Sequence, residues 1–105
     1  FVALKIAINS LIENGVISAD PIVQAVAAVS VGIVDDNVLL DLCYEEDVRA
    51  ATDMNVAMDN AGGFIEIQGT GEARSFSRKE TEEMLDVASK GIERLFKAQT
   101  QFLNT

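Results

Sequence analysis

The sequence contains no histidine, only one cysteine and only one proline in 105 residues. Without histidine, the chain alone can form neither a Ser-His-Asp nor a Cys-His catalytic group, and the commonest zinc sites are excluded. Cys43 has no partner for an internal disulfide, which agrees with a reducing compartment, and it is most simply a packed strand residue.

Positive charge is also scarce, with 8 lysines and arginines against 17 aspartates and glutamates and a net charge of −9. Affinity for nucleic acid comes largely from basic side chains that neutralise phosphates. The chain is therefore not a self-sufficient nucleic-acid binder. A phosphate-rich substrate would need positive charge from elsewhere.

No apolar run approaches the roughly 20 residues needed to span a bilayer, and the first residues do not form a signal peptide. A hydrophobic content of 49% argues against a disordered tail. We therefore expect a soluble, cytoplasmic protein without membrane contact, folded as a single domain over residues 1–105. Because the chain opens at Phe1 without a methionine, we also expect it to be a piece of a longer protein.

Hydrophobic periodicity predicts a helix at each end of the chain, with four strands between them. Leu4, Ile8 and Leu11 recur at helical spacing and are expected to cover one sheet face. Ser77 and Glu80 form a capping-box pattern at the start of the second helix. The strands are predicted over residues 24–34, 38–44, 53–59 and 64–69. The order α-β-β-β-β-α indicates an α+β fold, with two helices and a four-stranded, mostly antiparallel sheet.

The strand over residues 24–34 is rich in small and β-branched residues, which is typical of a strand covered on both faces. In the strand over residues 53–59, Met54, Val56 and Met58 alternate with polar residues and are most simply core side chains.

Three aspartates follow one another at six-residue intervals: Asp41, Asp47 and Asp53. Alternation along the strand 38–44 places Leu40 and Leu42 on one side and Asp41 on the other. If the chain turns at Glu45 and Glu46, Asp47 returns toward Asp41, and the two carboxylates suit magnesium or manganese. From spacing alone, a solvated acidic loop is the favoured interpretation.

Several other polar groups also have both a functional and a purely structural interpretation. Glu45 and Glu46 are interpreted as solvated rather than metal-binding. Residues 69–71, Gly-Thr-Gly, could present amides to an anion, although a plain loop is favoured. A basic cluster near the start of the last helix consists of Arg74, Arg78 and Lys79. Solvated side chains are the favoured interpretation, and contact with a ligand is the alternative.

Several segments, in order, resemble the ribonuclease PH family across essentially the whole chain. They are residues 26–34, DLCYEED at 41–47, TDMNV at 52–56, IEIQGTGE at 65–72 and FSRKE at 76–80. The resemblance covers only the C-terminal part of a ribonuclease PH-like (ribosomal protein S5 domain 2-like) fold. Members carry an N-terminal portion with a phosphate-binding glycine-threonine-arginine stretch. That stretch is absent here and is expected upstream of Phe1, so no phosphate-binding residue is assigned in this chain.

The resemblance implies a phosphate-dependent 3′-to-5′ exoribonuclease, a tRNA nucleotidyltransferase that trims tRNA 3′ ends and releases nucleoside diphosphates. Inorganic phosphate is the implied co-substrate, Mg²⁺ or Mn²⁺ the implied cofactor, and a hexameric ring the implied assembly. By the same resemblance, Asp41, Asp47 and Asp53 are catalytic, and Asp41 and Asp47 hold the metal.

The sequence departs from the family pattern at Val48 and Arg49, where members usually have small residues. Arg49 could pair with one of the acids or reach a phosphate, but a surface salt bridge is the favoured interpretation. The alternative function is a noncatalytic structural subunit or assembly module of the same fold in an RNA-degrading ring.

Overall fold

One antiparallel sheet and three helices make up the part of the chain that the computed structural model describes, residues 1–104. The sheet has the strand order β2-β1-β3-β4. In chain order, the elements are α1 (Val2–Glu13), β1 (Val26–Val34), β2 (Asn37–Leu40), α2 (Tyr44–Arg49), β3 (Thr52–Asp59), β4 (Phe64–Gly71) and α3 (Arg78–Leu103). The predicted α+β fold is confirmed, and α2 is a helix that the sequence analysis did not predict.

The core lies between one face of the sheet and α3. Met54, Val56 and Met58 of β3 are 2%, 0% and 7% exposed, so their predicted place in the core is confirmed. The facing residues of α3 include Met84 and Ile92, which are 0% and 1% exposed. The apolar side chains that alternate along β3 thus pack against those that recur every 3.6 residues along α3, and together they form one apolar layer.

Strand β1 is paired unequally along its two edges. It pairs with β3 from Val26 to Ile33, but with β2 only from Val31 to Val34. Its last four residues are buried, whereas Val26 and Ala28 are exposed. The prediction that β1 is covered on both faces is therefore wrong for its first half.

Helix α3 is 26 residues long, about seven turns at 3.6 residues per turn rather than the five predicted. Its buried residues end at Ile92. Helix α1 packs against α3, and Leu4 and Leu11 remain 57% and 38% exposed. The expectation that Leu4, Ile8 and Leu11 cover a sheet face is therefore not met, because α1 has no buried residue.

The start of α3 is closed by the predicted capping box. The Glu80 amide donates to Ser77 Oγ at 3.0 Å, and Glu80 Oε1 accepts from the Ser77 amide at 3.0 Å. Arg74 adds a bidentate ion pair, donating to Glu80 Oε1 at 3.1 Å and to Oε2 at 2.8 Å. These bonds, first that from Arg74 and then that from the Ser77 amide, lower the pKa of Glu80 from 4.5 to about 2.

This lowered pKa predicts a specific acid sensitivity. Because the folded pKa of Glu80 lies below its ordinary value, its contribution to stability is complete above pH 4.5 and is lost as pH falls toward 2. We expect Glu80→Gln to remove part of the stability change over this interval. Urea unfolding at several pH values measures it, with Glu82→Gln, an exposed acid on the same helix, as the control. Parallel acid profiles for Glu80→Gln and the wild type would contradict the prediction.

Candidate acidic site

The candidate site begins where β2 ends, one residue before Asp41. Asp41 adopts a left-handed backbone conformation, φ 60°, which is uncommon for residues other than glycine but favoured by aspartate among them. Its amide donates to the Ser30 carbonyl at 2.7 Å, which closes the β1–β2 ladder. The predicted strand over residues 38–44 is therefore wrong beyond Leu40, because the chain leaves the extended conformation at Asp41.

The left-handed residue moves Leu42 to the face opposite Leu40. Leu40 packs on α3, where a Cβ added to Gly91 would lie 2.7 Å from Leu40 Cδ2. Leu42 instead lies over β1, where a Cβ added to Gly32 would lie 2.8 Å from Leu42 Cδ1. The prediction that these leucines share one side is wrong, since strand alternation does not pass through a residue with positive φ.

Helix α2 follows where a turn was predicted. Glu46 Oε1 accepts from the Cys43 amide at 3.0 Å, and this bond lowers the pKa of Glu46. Glu46 therefore closes the helix start rather than simply facing solvent. The pattern Cys-x-x-Glu has the spacing of a capping box and could have revealed α2, although cysteine is not a usual N-cap residue.

Cys43 itself is the N-cap residue of α2 and is exposed. The prediction that it is a packed strand residue is therefore wrong. The cause is again the early end of β2 at Leu40, which leaves Cys43 outside the sheet.

Asp47, on α2, returns to the sheet beside Asp53 of β3. Burial, and then the nearby carboxylates of Asp47 and Glu72, raise the pKa of Asp53 above its ordinary value of 3.8. A hydrogen bond shared with Asp47 acts in the same direction. Among residues 1–104, these two like charges are held together without a basic partner at the pair, an arrangement that favours a bound cation or a shared proton.

Asp41 lies in the next cross-strand row on the same face of the sheet. Gly32 pairs with Asp53, and two residues earlier Ser30 pairs with Asn55. Asp41 lines a cavity of about 860 Å³ together with Ser30 and Asn55. The structure therefore brings Asp47 and Asp53 into direct interaction and places Asp41 in the wall of the adjoining cavity.

The remaining polar candidates take part in structural contacts. Arg49 pairs with Asp35 at 3.5 Å, which confirms the surface salt bridge but with a partner outside the three aspartates. Residues 69–71 belong to β4 and pair with β3, so the predicted loop is wrong. Arg74 pairs with Glu80, and Lys79 pairs with Glu83 at 4.0 Å, whereas Arg78 forms no ion pair among residues 1–104.

Phe1, upstream of which the phosphate-binding stretch is expected, is the N-cap residue of α1. Its carbonyl accepts from the Lys5 amide at 3.0 Å, and its apolar side chain is 37% exposed. Phe1 therefore caps the start of α1, and its side chain carries no group that could bind an anion. The stretch itself would precede the described residues, so its position stays a prediction.

The donor set is compatible with a hard divalent cation that keeps much of its water. Within residues 1–104, no group of three or more histidine, cysteine, aspartate or glutamate side chains could hold a metal ion. Mg²⁺ is nevertheless usually bound through one or two carboxylates with water and substrate phosphates, so the predicted pair Asp41 and Asp47 would not need a larger cluster.

A family model described as "3' exoribonuclease family, domain 2" matches residues 24–91, which include all four strands, α2 and the three aspartates. The chain belongs to the 3′ exoribonuclease family. The match to domain 2 confirms the resemblance to a C-terminal portion, and helix α1 lies outside the matched residues.

Several curated proteins that are similar to this chain carry the name Ribonuclease PH. That of Corynebacterium efficiens is 56% identical over 99 residues, covering 94% of this chain and 40% of the relative. Those of Corynebacterium glutamicum and of a Synechococcus strain are 54% and 51% identical, covering 40% and 44% of the relatives. The chain thus spans less than half the length of these relatives. Among residues 1–104, no helix is both long and apolar enough to cross a membrane.

The position of Leu42 and α2 over β1 predicts that Gly32 is intolerant of a side chain. A Cβ at Gly32 would lie 2.5 Å from the Thr52 carbonyl oxygen, a backbone atom that cannot move aside. We expect Gly32→Ala to lower the free energy of unfolding by about 1–3 kcal/mol, measured by urea unfolding.

Gly69→Ala is the matched control, because its Cβ would meet only the tips of two side chains, at 3.1 Å from Met54 Cε and 3.3 Å from Phe76 Cζ. A loss of stability in Gly69→Ala as large as that in Gly32→Ala would contradict the prediction.

The paired acids predict a gain of stability on neutralisation. Because the folded pKa of Asp53 is raised, its penalty is absent below its ordinary pKa of 3.8 and is complete once pH exceeds the folded pKa. We expect Asp47→Asn to lower the pKa of Asp53 and to stabilise the fold at pH 7, by up to about 1 kcal/mol after solvent screening.

The same variant should have little effect at pH 3, and a carboxyl NMR titration should show the lowered pKa of Asp53 directly. Asp86→Asn, at an exposed acid on α3, controls for the change of net charge. An equal gain at both pH values, or an equal gain in the control, would refute the like-charge explanation.

Proposed function

We propose that this chain is the acid-bearing part of a phosphate-dependent 3′-to-5′ exoribonuclease. The observation that carries the proposal is the position of Asp47 beside Asp53, with no basic partner at the pair among the described residues. Burial, and then the nearby carboxylates of Asp47 and Glu72, raise the pKa of Asp53. Like charges held together destabilise a fold, so their presence beside Asp41 is better explained by chemistry than by architecture.

In this proposal Asp41 and Asp47 hold Mg²⁺ or Mn²⁺, and Asp53 is the third catalytic acid. A bound cation would offset repulsion between the attacking phosphate and the RNA phosphodiester and stabilise charge on the leaving ribose oxygen. The contribution of the chain is to hold the three carboxylates on one face of a rigid sheet. Gly32 and Leu42 position α2, and α2 positions Asp47.

The proposed substrate is the 3′ end of tRNA precursors, with inorganic phosphate as co-substrate and nucleoside diphosphates as products. The name of the relatives, Ribonuclease PH, supports an RNA substrate. With a net charge of −9, the chain needs basic groups from outside itself to hold such a substrate. This need supports a homo-oligomer, which we propose to be a hexamer. We also propose that the protein works in the cytoplasm.

A noncatalytic subunit of the same fold is the second candidate. It is favoured by the lack, within residues 1–104, of any three-ligand acidic cluster. The two candidates differ in whether the aspartates matter for turnover or only for the charge of the surface.

A chimera decides between them. This chain would replace the matching region of the Corynebacterium efficiens ribonuclease PH, to which it is 56% identical. We expect phosphate- and Mg²⁺-dependent release of nucleoside diphosphates from RNA. Asp41→Asn, Asp47→Asn and Asp53→Asn should each reduce kcat by at least about 100-fold, because each removes charge at the reacting phosphates.

Asp86→Asn in the same chimera is the control and should keep full activity. A folded but inactive chimera would favour the noncatalytic subunit, and near-normal turnover in the aspartate variants would refute the catalytic roles given to these residues. Circular dichroism and the thermal midpoint separate loss of chemistry from loss of fold.

A further inference from the structure

Helix α2 presents a pair of apolar side chains to solvent. No residue of this helix is buried, and Tyr44 and Val48 are 82% and 65% exposed. The two residues lie four positions apart, so they are neighbours on one side of the helix. A surface helix usually turns such side chains toward the core. Within residues 1–104 this apolar pair is left to solvent instead, and it is open to contact from outside the chain.

Tyr44 also shares a side of α2 with the acidic site. Asp47 is three positions further along the helix, a spacing that puts the Cβ atoms of two residues about 5–6 Å apart. Helical side chains lean toward the helix N-terminus, so the side chain of Tyr44 leans toward the segment that begins at Asp41. An RNA strand with a phosphate at Asp47 would therefore pass within reach of the Tyr44 ring.

An aromatic ring suits the charge of this chain. With a net charge of −9 the chain attracts phosphates poorly, and Arg49, the basic residue of α2, pairs with Asp35. Stacking of a nucleobase on an aromatic face needs no positive charge, and it tolerates any sequence because every base has a π face. Such tolerance suits an enzyme that removes one nucleotide after another from an RNA end.

A protein surface is the other partner that an exposed apolar pair could take. A surface packed on both Tyr44 and Val48 would also cover Asp47, which lies between them along the helix and is exposed. The carboxylate of Asp47 would then be closed to a substrate. The position of the ring, beside a site that must stay open, therefore favours a nucleobase over a protein surface.

We propose that Tyr44 is a stacking platform for a nucleobase of the RNA 3′ end, with Val48 extending the apolar surface beside it. The inference rests on the proposed function, because it takes the substrate of the acidic site to be RNA. Tyr44 binds the strand through its base and takes no part in breaking the phosphodiester bond.

The first test uses the 105-residue chain, in which Tyr44 is the only tyrosine. The ring protons of Tyr44 are followed by NMR while the dinucleotide ApA or, separately, ribose 5-phosphate is added. We expect ApA to move these signals upfield, because a stacked purine shields them, and ribose 5-phosphate, which has no base, to leave them unchanged. Tyr44→Leu should weaken ApA binding, measured from the amide shifts of residues 41–47, by about tenfold, as expected for one base–aromatic stack.

Phe64→Leu is the matched control, because Phe64 is an exposed aromatic residue on β4 that pairs with Met58, near the opposite end of β3 from Asp53. It should bind ApA as the wild type does. Equal shifts with ribose 5-phosphate, ApA binding that leaves the Tyr44 ring signals in place, or no binding of ApA would overturn the stacking role. Ring signals that move on dilution without nucleotide would show a second copy of the chain on Tyr44 and would overturn it as well.

The second test uses the active chimera and separates this inference from the proposed function. Tyr44→Leu should raise KM for RNA by about tenfold, with kcat and the KM for phosphate unchanged, and Tyr44→Phe, which keeps the ring, should behave as the wild type. A chimera that is active but indifferent to Tyr44→Leu refutes the stacking role alone. A chimera without activity refutes the proposed function, while the NMR result still decides the stacking role.

Discussion

The close approach of β1 to its neighbours at Gly32 is the constraint on which the acidic site depends. Only a residue without a side chain fits there, between the Thr52 carbonyl and the Leu42 side chain. Leu42 can therefore lie on the sheet, α2 follows it, and Asp47 arrives beside Asp53. A methyl group at this one point would lift the segment that carries Asp47 while leaving the core on the other face intact.

The two faces of the sheet carry different kinds of side chain. The face against α3 contains Val31, Met54, Val56 and their apolar neighbours, which exclude water and stabilise the fold. The opposite face carries Asp53 and Asn55, alternating with those core residues along β3. The pKa of Asp53 is raised first by its burial and then by the nearby carboxylates of Asp47 and Glu72.

Sequence patterns predicted the regular parts of this fold well. The alternation of Met54, Val56 and Met58, together with the capping box at Ser77 and Glu80, depends on local periodicity that tertiary contacts reinforce. The positive φ of Asp41 could not be predicted, because aspartate adopts it only where surrounding contacts compensate for it. One such residue ended the strand, moved Leu42 to the other face and left Cys43 outside the sheet.

The candidate site was predictable only in part for a related reason. The six-residue spacing predicted that all three aspartates lie near one end of the sheet. It did not predict which two of them would be in contact. That depends on α2, which has six residues and gives little periodic signal. The role of Glu46 at its start was hidden because cysteine replaces the serine or threonine usual at an N-cap.

The length of α3 has a further consequence for the dynamics of the chain. The fully buried residues of α3 end at Ile92, although Phe96 still packs against the core and Gln99 Nε2 donates to the Val26 carbonyl at 3.1 Å. Because fewer buried contacts hold the last turns, we expect the amides near Met84 and Ala88 to exchange with solvent only when the whole core opens, and those near Leu103 to exchange by local fraying. One continuous helix then has two levels of local stability.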